Sequence, residues 1–204
     1  MGLRETKKLQ TRQLIAATAM RLFVTRGFDH VTVGEVAREA GVSEKTVFNY
    51  FPTKEDIFFD EVPERLEALT DAVRARRPEQ SLVAAMHELH TKQCGRLASP
   101  GFAQFSRMIS ESPALQAKEM EVMGQFTDHL AATIREEFGA HPADAQTAAN
   151  LLMSVHWQVF RNAREHALAG RSGPTAVRRL RQDLDRAYRL LEHGLASLEP
   201  APSG

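Results

Sequence analysis

The stretch that decides the fold is Thr32–Phe58, TVGEVAREAGVSEKTVFNYFPTKEDIF. Thr32 and Glu35 are spaced as a reciprocal helix cap, and Val36, Ala37 and Ala40 form the buried side of the short helix that follows. Gly41 ends that helix, and Ser43 is placed to cap the next over Glu44–Tyr50, leaving only about three residues between the two. So tight a turn imposes a large crossing angle. Pro52 closes this third helix, and Thr53 caps a fourth with Asp56 at its third position. Ile57, Phe58, Val62, Leu66, Leu69 and Val73 predict one long amphipathic helix from there, kinked at Pro63 and ended by Pro78.

Upstream, Ile15, Ala19, Leu22 and Phe23 lie on one helix face, and Gly27 is expected to end that helix in the left-handed conformation. Downstream, five more helices are expected at roughly 80–97, 101–110, 113–138, 142–168 and 174–198, divided by Ser99-Pro100-Gly101, Ser112-Pro113, Gly139 and Ser172-Gly173-Pro174. Pro113, Pro142 and Pro174 suit the first position of a helix. No strand run or internal repeat is visible, and the closing EPAPSG is too polar and proline-rich to pack. The expectation is an all-α protein of about nine helices. Two domains are expected, one of three helices over residues 1–53 and a larger helical one over residues 54–204.

The 204 residues carry 26 Lys or Arg and 26 Asp or Glu, yet the charge is unevenly placed. Residues 1–54 hold nine cations against five acids, leaving 17 against 21 in the rest. The basic end is the candidate DNA-binding end. Arg4, Lys7, Lys8 and Arg12 fit either a phosphate-seeking flexible arm or a solvated terminal helix. The opening residues lack a signal peptide's apolar core and no run is long enough to span a bilayer, which predicts a cytoplasmic protein with no membrane partner. The single cysteine, Cys94, fits a reducing compartment.

Helix, short turn and helix within a basic segment is the arrangement that lays a second helix in the DNA major groove. Lys45, Thr46, Asn49 and Tyr50 offer hydrogen-bonding groups on one face of Glu44–Tyr50, while Val47 and Phe51 face a small core. The Thr32–Phe58 segment as a whole resembles the tetracycline-repressor (TetR) family of transcriptional regulators, and the count and lengths of the later helices are similar to that family's ligand-binding domain. The resemblance implies that Thr32, by hydroxyl or backbone N–H, and Lys54, by its ammonium, hold phosphates. It implies that Ser43, Glu44, Lys45, Thr46 and Asn49 face the groove, Lys45 donating to guanine and Asn49 to adenine, and that Tyr50 reaches a phosphate. Phe48 stands where the family usually has tyrosine, so it packs or touches a thymine methyl.

One such head reads too few base pairs to select a genomic site, so a homodimer on a near-palindromic double-stranded operator is expected. The last two helices offer the interface through Leu152, Val155, Val159 and Phe160 on one and Leu180, Leu184, Leu191 and Leu195 on the other, although these stripes also suit each protomer's own core. Phe102, Phe105, Met108, Met120, Met123 and Phe126, with His156, Trp157 and Phe160, suit an adaptable apolar pocket for a small-molecule ligand that would release the repressor from DNA, and suit a plain core equally. The fourth helix is expected to be the continuous link that such a ligand moves. A ligand-independent or ligand-coactivated DNA-binding protein is the alternative. No catalytic motif, cofactor or metal is expected: His87-Glu88-Leu89-His90 has the wrong spacing for HExxH, and Cys94 reads as a structural thiol.

Overall fold

The computed structural model describes residues 2–194; Leu195, the expected stretch of the last helix up to 198 and the EPAPSG tail lie outside the described residues, as do the side chains of Leu3 and Arg4. The described residues form ten helices: α1 Leu3–Arg26, α2 Val33–Ala40, α3 Glu44–Tyr50, α4 Lys54–Phe58, α5 Val62–Arg74, α6 Leu82–Leu97, α7 Pro100–Glu111, α8 Pro113–Phe138, α9 Pro142–Leu168 and α10 Gly173–His193. They divide between two compact units, Met1–Pro63 with Arg107–Met120, and Glu64–Ser106 with Glu121–Gly204.

The tenth helix arises because the expected long fourth helix is two. A proline at 63 has no N–H for the carbonyl of Phe59 and would clash with it in a continuous helix. Here α4 ends at Phe58 with Phe59 as its C-cap, and Phe59 O accepts from Val62 N–H at 3.0 Å instead. Pro63 therefore sits in the first turn of α5, where its missing N–H leaves nothing unpaired, rather than kinking one rod. Gly27 also departs from expectation. Its φ of 83° is positive, but ψ is 145°, so the chain leaves α1 extended in a region open essentially to glycine alone.

In the first unit, Ile15, Ala19 and Phe23 of α1 pack with Phe28, Val31, Val36, Val47, Phe51, Ile57 and Phe58, all nearly inaccessible. The ring of Phe28 lies 4.9 Å from that of Phe23 and 5.8 Å from that of Phe58. The segment 107–120 is tied to this core by two polar contacts: Ser112 Oγ donates to Asp29 at 2.8 Å, and Lys118 Nζ lies 2.8 Å from Asp56. Burial alone would raise the Asp56 pKa, but the Lys118 ammonium and the donors of Thr53 outweigh it and hold the carboxylate below its usual range.

In the second unit α6, α9 and α10 pack on one another. Leu152, Val155, Val159 and Phe160 of α9 and Leu180 and Leu184 of α10 are buried within the protomer. These six residues fill its own core rather than forming an exposed dimer stripe. Leu191 is half-buried. The spacing Leu180, Leu184, Tyr188 carries the α10 stripe one turn further, to a phenol that is 3% exposed.

That phenol belongs to a buried polar chain. Tyr188 Oη lies 2.8 Å from His90 Nδ1, and His90 Nε2 lies 2.8 Å from His156 Nδ1. The other histidine of the pair in α6 turns elsewhere, with His87 Nε2 2.8 Å from Asp185. Burial holds His90 well below the ordinary histidine range, and His156 and His87 push the same way. His156 is lowered to about 4, by burial first and then by the charges of Arg65 and Arg96. Burial raises the Tyr188 pKa, keeping the phenol protonated.

Both histidines are thus neutral when folded and take up a proton when unfolded below about pH 6.5. Stability that is intact at neutral pH is lost as the pH falls through 6.5 toward about 4, by up to about 1.4 kcal/mol per pH unit for each histidine. Urea unfolding followed between pH 7 and 5 measures this loss, and a flat profile over that range would contradict the buried neutral pair.

Candidate nucleic-acid interface and ligand cluster

The turn between α2 and α3 is built by Gly41, whose φ of 69° and ψ of 31° are left-handed, with Val42 N–H reaching back to Ala37 O at 2.9 Å. Each helix entering this region is capped from the side. Thr32 Oγ1 accepts from Glu35 N–H at 3.2 Å, while the Glu35 carboxylate takes both Thr32 N–H, at 2.9 Å, and the Thr32 hydroxyl, at 3.0 Å. Arg26 adds a 2.8 Å ion pair to Glu35. The backbone N–H of Thr32, then Arg26 and the Thr32 hydroxyl, lower the Glu35 pKa to about 2. The helix start that the sequence assigned to a phosphate therefore already holds an internal anion, and Thr32's own N–H is spent on it.

Ser43 caps α3 by accepting from Thr46 N–H at 3.0 Å, and the two hydroxyls lie 2.7 Å apart. The Glu44 carboxylate lies against Gly34 of α2, where a Cβ would come within 2.6 Å of Glu44 Oε1. Lys45 and Asn49 are exposed, Phe48 is 49% exposed, and Tyr50 is half-buried. Val47 and Phe51, at 0% and 2%, anchor the opposite side of α3 in the core. One side of the helix is thus fixed while Lys45, Phe48 and Asn49 stand clear of it.

Lys54, at the start of α4, points its ammonium inward. Nζ donates to Phe28 O and Val31 O at 3.0 Å each and sits 4.1 Å from the centre of the Phe28 ring. Sequence reasoning missed these bonds because the acceptors lie 26 and 23 residues away. The N-terminal cations form no flexible arm, since α1 begins at Leu3. Arg12 is tied to Asp60 O at 3.0 Å and lies over the Phe51 ring, whereas Lys7 and Lys8 are exposed.

Of the ligand candidates, six gather as aromatic neighbours in the second unit. The ring of His156 is nearly parallel to those of Phe126 and Phe160, at 6.0 and 6.3 Å, and Trp157 meets it edge-on at 4.6 Å. Phe102 meets Phe160 at 5.0 Å and Phe105 at 6.2 Å. Met123 is half-buried. Met108 is buried but falls in the 107–120 segment of the first unit, and Met120 is 73% exposed, the opposite of a cavity-lining side chain.

The tempting metal pair is already satisfied. Both ring nitrogens of His90 are hydrogen-bonded and His87 is paired with Asp185, leaving no shared lone pairs for an ion. Cys94 is fully buried, its thiol donates toward His90 O at 3.5 Å, and burial raises its pKa, which removes the thiolate a nucleophile needs. Among the described residues no helix is long and apolar enough to cross a membrane.

Residues 15–60 match the family described as bacterial regulatory proteins, tetR family. The chain is 25% identical over 146 residues to the HTH-type transcriptional regulator TcmR of Streptomyces glaucescens, covering 68% of this chain and 65% of TcmR, just under two thirds of its length. It is 29% identical over 161 residues to the HTH-type transcriptional repressor BepR of Brucella suis, covering 72% of this chain and 77% of BepR. Among solved structures, the TetR-family repressor FadR of Thermus thermophilus, in complex with lauroyl-CoA, superposes with a TM-score of 0.55 at 25% identity, over 95% of this chain and 98% of FadR. The helix-turn-helix lies inside the segment that matches the tetR family, and over 95% of its length the chain is similar in fold to a TetR-family repressor.

Proposed function

We propose that the protein is a cytoplasmic, homodimeric repressor that binds a near-palindromic operator through α3 and leaves it when a small molecule occupies the second unit. The observation that carries this reading is the exposed edge of α3, where Lys45, Phe48 and Asn49 stand out from a helix pinned on its other side by Val47. Lys45 donates to guanine and Asn49 pairs with adenine, while Phe48 lies on a thymine methyl. Ser43, Glu44 and Thr46 set the helix end, Tyr50 and Lys54 serve the phosphates, and Thr32 joins them only by exchanging its bonds to Glu35 for a phosphate. Lys54 has two of its three N–H groups on backbone carbonyls, so one remains for DNA.

BepR is itself a repressor, and FadR is a repressor that binds lauroyl-CoA; both support ligand-released repression here. A ligand shifts such an equilibrium only by its difference in affinity between the two states. With α4 ending at Phe58, the elements suited to carry that difference are α7 and α8. They bear Phe102, Phe105 and Phe126 in one unit, while Lys118 of α8 and Ser112 between the two helices hold Asp56 and Asp29 in the other. The saturated nitrogens of His90 and the buried thiol of Cys94 support a binder rather than an enzyme.

Because the inner stripes of α9 and α10 are used within the protomer, the dimer is built from their outer faces, where Leu151 is 51% exposed. Leu151→Glu is expected to shift the protein by light scattering from twice 22.8 kDa toward 22.8 kDa and to weaken operator binding with it. An unchanged dimer would place the interface elsewhere. In a DNA-binding series across salt concentrations, Lys45→Ala is expected to relax the preference at one base position by about tenfold or more. Lys54→Ala should instead weaken all sequences alike and lower the salt slope by about one. Equal effects of both variants on every sequence would contradict this division between reading and anchoring.

A further inference from the structure

The chain Tyr188–His90–His156 has a direction. Tyr188 is 3% exposed and the hydrogen-bond partner of its hydroxyl among the described residues is His90 Nδ1, so the phenol, which must place its proton on an acceptor when buried, donates to that nitrogen. A neutral His90 that accepts at Nδ1 carries its proton on Nε2 and donates it to His156 Nδ1. A neutral His156 that accepts at Nδ1 then carries its own proton on Nε2. That nitrogen makes no hydrogen bond to any described residue.

Around this outward N–H stand flat apolar walls. The rings of Phe126 and Phe160 run within 20° and 21° of the His156 plane, and Trp157 closes an edge. His156 keeps some accessible surface, and the charges of Arg65 and Arg96 act on it beside these apolar rings. Ser106, one helical turn beyond Phe102 in α7, is fully buried and its hydroxyl has no partner. A second polar group in the helix that carries Phe102 is thus left for something not supplied by the chain.

We propose that the ligand of this protein is a flat, largely apolar molecule bearing a hydrogen-bond acceptor oxygen of the carbonyl type, received by the Nε2–H of His156, with Tyr188 and His90 as positioning residues that fix the direction of that bond. This rests on the reading of the second unit as a ligand sensor. It adds the polarity of the recognised group. A donor-only group such as an ammonium finds no lone pair on His156, so the site rejects it.

Two readouts on the full-length protein test this. With nitrogen-15 in the histidines, two-bond proton–nitrogen spectra at neutral pH report which ring nitrogen is protonated; His90 and His156 are both expected as Nε2–H, and Tyr188→Phe is expected to lift that restriction. The second uses the fluorescence of Trp157, the chain's single tryptophan, with 2-acetylnaphthalene and 2-isopropenylnaphthalene, which share a shape and differ in the oxygen. The ketone is expected to bind about tenfold more tightly, with the preference falling to about twofold or less in His156→Phe. Nδ1–H on His156, equal affinity for the two probes, or binding of neither overturns the proposal. Operator binding measured with the ketone present separates the two readings: preferential binding that leaves operator affinity unchanged upholds the chemistry of the site and overturns the sensor.

Discussion

A first unit with so small a core depends on the placement of the Lys54 ammonium. A cation in the first turn of α4 is opposed by the helix dipole, and Glu55 and Asp56 beside it only partly offset that. What holds it is the pair of carbonyls, Phe28 O and Val31 O, which belong to the connection between α1 and α2 and have no helical partner there. The same ammonium sits on the face of Phe28, whose ring touches Phe23 of α1 and Phe58 of α4. One side chain thus joins three elements, and the orientation of α3 follows because Val47 and Phe51 can bury themselves only once those elements are set. An apolar replacement of similar size would fill the space and still leave Val31 O without its donor, while Phe28 O would keep only the Val31 N–H.

What could be read in advance was what is local. Thr32 with Glu35, Ser43 with Thr46 and Thr53 with Asp56 close over three residues, so the residue types alone disclosed the helix starts. Val47 and Phe51 were legible as core because four residues is one helical turn. Pro63 was ambiguous for a physical reason: a proline either kinks a helix or begins one, and the choice turns on whether the carbonyl four residues back finds another donor. Val62 supplies it. Gly27 shows the same limit, since a glycine signals positive φ but not the ψ with which the chain must depart.

The contacts that organise the second unit were not legible. His90 meets His156 across 66 residues and Tyr188 across 98, and neither separation leaves a period in the sequence. The HELH segment drew attention to the histidines for a metal, yet its two rings part company, one to Asp185 and the other into the core. Tyr188 was in register with Leu180 and Leu184, but a tyrosine at the end of a leucine stripe does not reveal where its hydroxyl points. Ser112 with Asp29 and Lys118 with Asp56, which assign residues 107–120 to the first unit, were equally silent. The aromatic candidates fall together as ring neighbours, whereas nothing in residue type sets Met108 and Met120 apart from them.

The polar side chains around α3 are largely spent on folding it. Thr32 is closed with Glu35, Ser43 with Thr46, and Glu44 rests against Gly34, so each would have to give up a contact to meet DNA. Lys45, Phe48 and Asn49 carry no such obligation, and positions 45, 48 and 49 fall on one side of the helix. Three uncommitted side chains distinguish only a few base pairs, worth about 1–3 kcal/mol for each well-formed bidentate contact. A genome presents too many competing sites for that to suffice, and discrimination is gained by doubling the head rather than by enlarging it. The stability invested in capping the head is therefore linked to the need for a second copy: a reading helix only seven residues long stays rigid by using its own polar groups, and a partner supplies the specificity those groups no longer can.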